Sequence, residues 1–112
     1  MMSEINEKIS VSGYQLSLNA IKKAIYGIYD LSHQIKDYAV KAVPLSKNKD
    51  QLVIYIELCS NEICNACNIN QLVYEFIKEL KKEGQYYREF VKSLDSFIFP
   101  EIKLVYKPKG SL

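Results

Sequence analysis

Residues 36–58 read KDYAVKAVPLSKNKDQLVIYIEL, and the fold turns on this stretch. From Lys36 to Leu45 the chain alternates, with Tyr38, Val40 and Ala42 opposite Asp37 and Lys41. From Leu52 it alternates again, with Leu52, Ile54, Ile56 and Leu58 opposite Val53, Tyr55 and Glu57. A two-residue period is that of a strand with one face buried. The polar run Ser46 to Asp50 between them predicts an antiparallel hairpin. Pro44 cannot donate to a ladder, so the first strand belongs at an edge or ends there. The β-branched content of the second favours a central place in the sheet.

Upstream, Ile9, Val11 and Gly13 alternate with Lys8, Ser10 and Ser12, the pattern of a short strand. Ser17 reads as an N-cap. Behind it Leu18, Ile21, Ala24, Ile25, Ile28 and Leu31 share one helical face, predicting a helix from about Leu18 to His33. Downstream, Cys59 to Asn70 is an asparagine-rich loop. Leu72, Val73, Phe76, Ile77 and Leu80 then form a second helical stripe, capped by Asn68 or Asn70 and closed or kinked at Gly84. The helical period resumes from Tyr86 to Pro100, and Ile102, Leu104 and Tyr106 suggest a last strand. The order βαββαα(β) predicts a single α+β domain over residues 1–112. Its antiparallel sheet would carry helices on one face, in the manner of a ferredoxin-like sandwich, with 1–7 and 108–112 frayed.

Composition narrows the function classes. A formal net charge of +2 with interspersed signs gives no one-sided basic patch for nucleic acid. The most apolar run, Leu52 to Leu58, is too short to cross a bilayer and is interrupted by Glu57. The acidic N-terminal residues hold no apolar run of a secretory signal, which suggests a cytoplasmic setting. A reducing compartment makes structural disulfides unexpected.

All three cysteines, Cys59, Cys64 and Cys67, fall within nine residues with the spacing C-x4-C-x2-C. That spacing opens the cysteine run of plant-type iron–sulfur proteins, and an x2 pair can grip one metal. A fourth cysteine is missing, and His33 is the one candidate fourth ligand. An iron–sulfur cluster or zinc is one reading. Small thiols packed as ordinary apolar groups is the other, and it leads, with no cofactor expected. His33 with Asp30 and Ser32 lies along one helix end, which suits a helix dipole better than a hydrolytic triad. Glu75, Glu79, Glu83 and Glu89, interleaved with lysines and Arg88, read as a solvated helix face. With no catalytic constellation evident, the chain reads as a binding protein before an enzyme.

Tyrosine is over-used, with nine copies. Amphipathic rings suit recognition surfaces, although several can cap a core with the hydroxyl turned to water. Tyr86, Tyr87 and Arg88 form the first candidate contact group, and Tyr55, on the outward face of the central strand, is the second.

The first-helix string Leu18-Asn19-Ala20-Ile21-Lys22-Lys23-Ala24-Ile25-Tyr26, followed by Asp30, resembles the opening of the small HxsD-type proteins of the His-Xaa-Ser peptide system. Leu72 to Glu83 is similar in placement to that family's second conserved segment, with Tyr74-Glu75-Phe76 where the family shows Asn-Asp-Tyr. Tyr87-Arg88-Glu89-Phe90-Val91 resembles its closing element. The resemblance implies a non-catalytic accessory protein that acts with a radical S-adenosylmethionine maturase, its precursor peptide, or both. It carries over no catalytic residue. A physical route to such binding is strand addition at Lys36 to Leu45 or at Ile102 to Tyr106. The alternatives are a metal-bearing redox or structural protein built on the cysteine loop, and a homodimer formed through a tyrosine-rich face.

Overall fold

The computed structural model describes residues 7–28, 31–60, 62, 68–94 and 98–107. At its centre is the hairpin expected from the alternation: β3 (Ile35–Ser46) antiparallel to β4 (Lys49–Leu58), here numbered after two shorter strands upstream. In register, Tyr38 faces Ile56, Val40 faces Ile54 and Ala42 faces Leu52. Leu52, Ile54, Ile56 and Leu58 are all buried, so one face of β4 forms the floor of the core. A one-residue slip would turn that whole set to solvent, which pins the register. The ladder runs in to Ser46 and Lys49, leaving a tight turn in which Asn48 takes φ 61°. Asparagine tolerates that left-handed conformation better than most residues. Pro44 sits on an edge strand and β4 is central, as the sequence suggests.

The strand upstream is a hairpin in its own right. β1 (Lys8–Val11) and β2 (Tyr14–Ser17) pair antiparallel about Ser12 and Gly13. Both turn residues have positive φ, 51° and 88°. This is the geometry whose twist suits a two-residue hairpin, and Gly13 adopts it without a Cβ clash. The alternation of Lys8 to Gly13 therefore continues through a turn instead of marking one strand. The turn is tied to the main sheet at Asp50. Ser12 N–H donates to Asp50 Oδ2 at 2.7 Å, and Asp50 N–H donates to Ser12 Oγ at 2.8 Å.

Ser17 caps α1 (Leu18–Tyr26), accepting from the N–H groups of Asn19 and Ala20. The helix buries Ala20, Ile21, Ala24 and Ile25. It ends at Gly27, whose N–H bonds Lys23 O, and does not run to His33 as the periodicity suggests. Ile28 and Leu31 stay buried beyond its end, so a buried spacing persists after the helix has stopped. Gly27 lies under α2 (Ile69–Lys81): a Cβ there would approach Glu79 Oε1 to 2.5 Å. Asn68 caps α2 by accepting from Gln71 N–H, and Leu72, Phe76 and Leu80 are buried. Gly84, at φ 133°, turns the chain into α3 (Gln85–Ser93), which buries Phe90 and stops short of the expected Pro100.

β5 (Glu101–Val105) exists, but it lies parallel to β4, with Ile54 facing Ile102. The sheet order is β3-β4-β5, and β1-β2 forms a separate sheet. The class is α+β. The all-antiparallel, ferredoxin-like arrangement is corrected on two counts: the first strand pairs within its own hairpin, and the last returns by a helical crossover, which makes a parallel neighbour. α1 and α2 pack together over the apolar face of this mixed sheet.

The conformation at Gly84 lies where essentially only glycine rests, at φ 133° and ψ 179°. Gly84→Ala should lower stability by about 1–3 kcal/mol in urea unfolding although nothing crowds its Cβ position.

Candidate functional site

α1 and α2 pack over one face of the three-stranded sheet, and the opposite face carries the odd-numbered residues of β4 with their partners. Asp37 faces Glu57, which faces Val105; Ala39 faces Tyr55, which faces Lys103; Lys41 faces Val53, which faces Glu101. Val53 is 4% exposed although it lies opposite the main core. Tyr55 is half-buried, and Lys103 Nζ stands 5.7 Å from the centre of its ring, a cation–π distance. Around it lies an open cavity of about 340 Å³ lined by Asp37, Tyr38, Tyr55, Glu57, Val105 and Lys107, with Ala39 between them. Asp37 and Glu57 are like charges directly opposite each other, an arrangement that costs stability in a sheet. Lys36 Nζ, 3.8 Å from Glu57, relieves part of it. Tyr55 thus stands on an outward surface, as its position in the alternation suggests.

Tyr86, Tyr87 and Arg88 have internal partners. The Tyr86 hydroxyl accepts from Gln15 N–H at 2.8 Å, and the Tyr87 hydroxyl accepts from Ser17 N–H at 3.0 Å. Both bonds hold β2 against α3. The rings of Tyr14, Tyr86, Tyr87 and Phe90 meet edge to face, at centroid distances of 5.4 to 5.7 Å. Arg88 Nη1 donates to Lys81 O, capping the end of α2, and Nε donates to Gln85. The group that reads as an interface in the sequence is thereby joined to the hairpin, with Tyr86 still 46% exposed.

Of the candidate metal ligands, Cys64 and Cys67 lie outside the described residues. Cys59 is exposed, at the end of β4, and its N–H donates to Gln34 O at 2.8 Å. His33 is exposed in the turn just before β3, next to Gln34. The two residues therefore stand at the same end of the sheet, a juxtaposition made by the β3–β4 ladder. Among the described residues, no three His, Cys, Asp or Glu side chains group to hold a metal. No described helix is long and apolar enough to cross a membrane.

A third feature has no counterpart in the sequence reading. α2 and the segment leading into β5 enclose a groove of about 460 Å³ lined by Asn70, Val73, Tyr74, Ile77, Phe99 and Pro100. Tyr74 is 62% and Phe99 46% exposed. Tyr74 lies off the buried stripe of α2, and only the return of the chain at Phe99 shows that it has an apolar neighbour.

Two measurements check these assignments. Tyr87→Phe removes a part-buried hydroxyl acceptor and should cost about 1 kcal/mol, with faster amide exchange at Ser17. Tyr38 should ionise above the ordinary phenol value of 10.0, because burial disfavours its anion and Tyr26 and Asp37 add to the effect. The folded state then holds this proton more tightly than the unfolded chain. The stability it contributes is full below the unfolded value and is lost as pH rises through the folded one, as urea unfolding of the wild type and of Tyr38→Phe across that range will show.

No family model matches the chain, and no curated protein matches it. Solved structures do, among them the crystal structure of an acyl-CoA synthetase from Brucella canis, at 15% identity and a TM-score of 0.49. The overlay takes in 95% of this chain and 16% of that enzyme, so the likeness is to a small part of a much larger protein.

Proposed function

We propose that the chain is a non-catalytic binding module that works in contact with another polypeptide. The observation that carries this reading is the one-sided covering of the sheet. α1 and α2 pack on the face away from Tyr55, and the sheet has edges at β3 and β5. A surface of that kind offers main-chain groups along its rims and amphipathic area on its face, the two resources of peptide recognition. The first-helix resemblance supplies the partners to try: a radical S-adenosylmethionine maturase, its precursor peptide, or both. Copurification with that enzyme and peptide, together with the rate of peptide modification, tests it. A stable complex or a changed rate is the expected result; neither one appearing sinks the proposal.

A second reading is favoured by the Cys59–Gln34 bond, which brings Cys59 beside the turn that holds His33. In it, Cys59, Cys64, Cys67 and His33 bind zinc or an iron–sulfur cluster. Iron, zinc and acid-labile sulfide should be measured on protein purified without oxygen. Stoichiometric metal that disappears in Cys64→Ser is the result this reading expects, and metal-free folded protein overturns it.

A further inference from the structure

We propose that a second copy of this chain pairs with the rim of β3, antiparallel and about a two-fold axis at Ala39, so that Asp37 of each copy meets Lys41 of the other. This self-association goes beyond the reading above and needs no maturase or peptide. Residues 37–41 read Asp-Tyr-Ala-Val-Lys, with an acid and a base at equal distances from a central alanine. A symmetric dimer brings the same patch of both copies together, so the residue two places before the axis meets the one two places after it. With the axis at Ala39, both ends of the stretch become opposite-charge pairs. Moving the axis to Tyr38 or Val40 sets neither charge against the other.

The rim is open to such pairing. Tyr38 N–H donates to Asp37 Oδ1 at 2.8 Å, a bond to its own neighbour. Alternate residues of an antiparallel strand aim their main-chain groups to opposite sides, so Tyr38, Val40 and Ala42 hold N–H and C=O groups at the rim. The chain is described on both sides of β3, from Leu31 into the strand and from Ser46 into β4. Among the described residues no strand lies beyond β3, and none from Lys36 to Ser46 has a backbone bond outside the ladder with β4. Asp37, Ala39 and Lys41 are exposed.

Charge and packing both identify a copy of the chain as the occupant. Asp37 lies directly opposite Glu57, and Lys36 Nζ pairs with Glu57, so Asp37 is the acid left uncompensated. Among the described residues neither Asp37 nor Lys41 has an ion-pair partner. Lys41 of the second copy would stand across the rim from Asp37, at the side of the Tyr55 cavity that Asp37 lines. On the helical face Tyr38, Val40 and Ala42 pack against the core yet stay half-buried. In the same register Tyr38 meets Val40 of the second copy, which covers the apolar rim of both cores at once. These two residues exchange main-chain bonds, while Asp37 and Lys41 form the closer, non-hydrogen-bonded pair. Tyr38 N–H passes from the Asp37 carboxylate to the Val40 carbonyl, and the carboxylate turns to the lysine. Register shifts at Ile35/Asp37 and Pro44/Ser46, with the missing N–H of Pro44, confine pairing to this stretch.

Sedimentation velocity of the full chain from about 1 μM to about 1 mM tests the proposal, with a reversible monomer–dimer equilibrium expected. Asp37→Lys and Lys41→Asp each set like charges across the axis and should weaken association by about tenfold or more. The double variant, and an equimolar mixture of the two single variants, restore opposite charges and should return to within about threefold of the wild-type constant. Amide exchange of the unaltered chain gives a second readout. The Tyr38, Val40 and Ala42 amides should exchange roughly tenfold more slowly where the dimer prevails. A chain that stays monomeric throughout the range overturns the proposal, and so does a dimer whose single variants associate as tightly as the wild type. Concentration-dependent protection at β5 in place of β3 overturns it as well. Copurification with the maturase is scored separately, so a monomer removes this inference without touching the binding-module reading.

Discussion

A three-stranded sheet must bury an apolar face, and here β4 dictates which one. It lies between β3 and β5, and its even-numbered residues present Leu52, Ile54, Ile56 and Leu58 to one side. The helices α1 and α2 supply matching stripes, Ile21 and Ile25 from one, Leu72 and Phe76 from the other. Burying a side chain of this size stabilises by roughly 1.5–3 kcal/mol, so the shared core outweighs any single polar contact. The cost of directing both helices to one side is that the other face stays uncovered by them. That asymmetry is the physical origin of the surface to which we assign a binding role.

The tyrosines show how one residue type serves two ends. A phenol has an apolar ring and a hydroxyl that seeks a partner when it is partly buried. Tyr86 and Tyr87 place their rings against Tyr14 and Phe90 and lend their oxygens to the N–H groups of β2. The small hairpin, which has no wide sheet of its own, is thus held by α3 on one flank and by the Ser12–Asp50 exchange at its tip. Among the described residues Tyr55 makes no such bond, and it stands on the opposite face of the sheet with Lys103 near its ring. Counting tyrosines cannot separate these uses. Their partners lie about 70 residues away in the chain.

The edges of the sheet repeat the contrast between rim and core. β3 is long and would be exposed to indiscriminate pairing without its proline, bulges and lysines. β5 is short and regular, and α2 with Phe99 and Pro100 lines a groove at its start. The same ladder that sets these edges also draws Cys59 and the turn at His33 to one end of the sheet.

Much of the local structure was legible in the residues. Alternation marked β3 and β4, Pro44 pointed to an edge or a strand end, Ser17 and the Asn68/Asn70 pair marked helix starts, and Gly84 marked a close or kink. These are short-range effects, fixed by a side chain's own geometry or by neighbours within a few residues. A local pattern misleads where it is compatible with two structures. The alternation around Ser12-Gly13 suits one strand as well as a hairpin, and the spacing of Ile28 and Leu31 continues a helical period after Gly27 has ended the helix. Tertiary structure alone decided that β5 runs parallel to β4, that Tyr86 and Tyr87 reach back to β2, and that Tyr74 and Phe99 share a groove. Each depends on a crossover that joins segments distant in the chain. Sequence periodicity records which side of an element is apolar, but not which distant element will cover it.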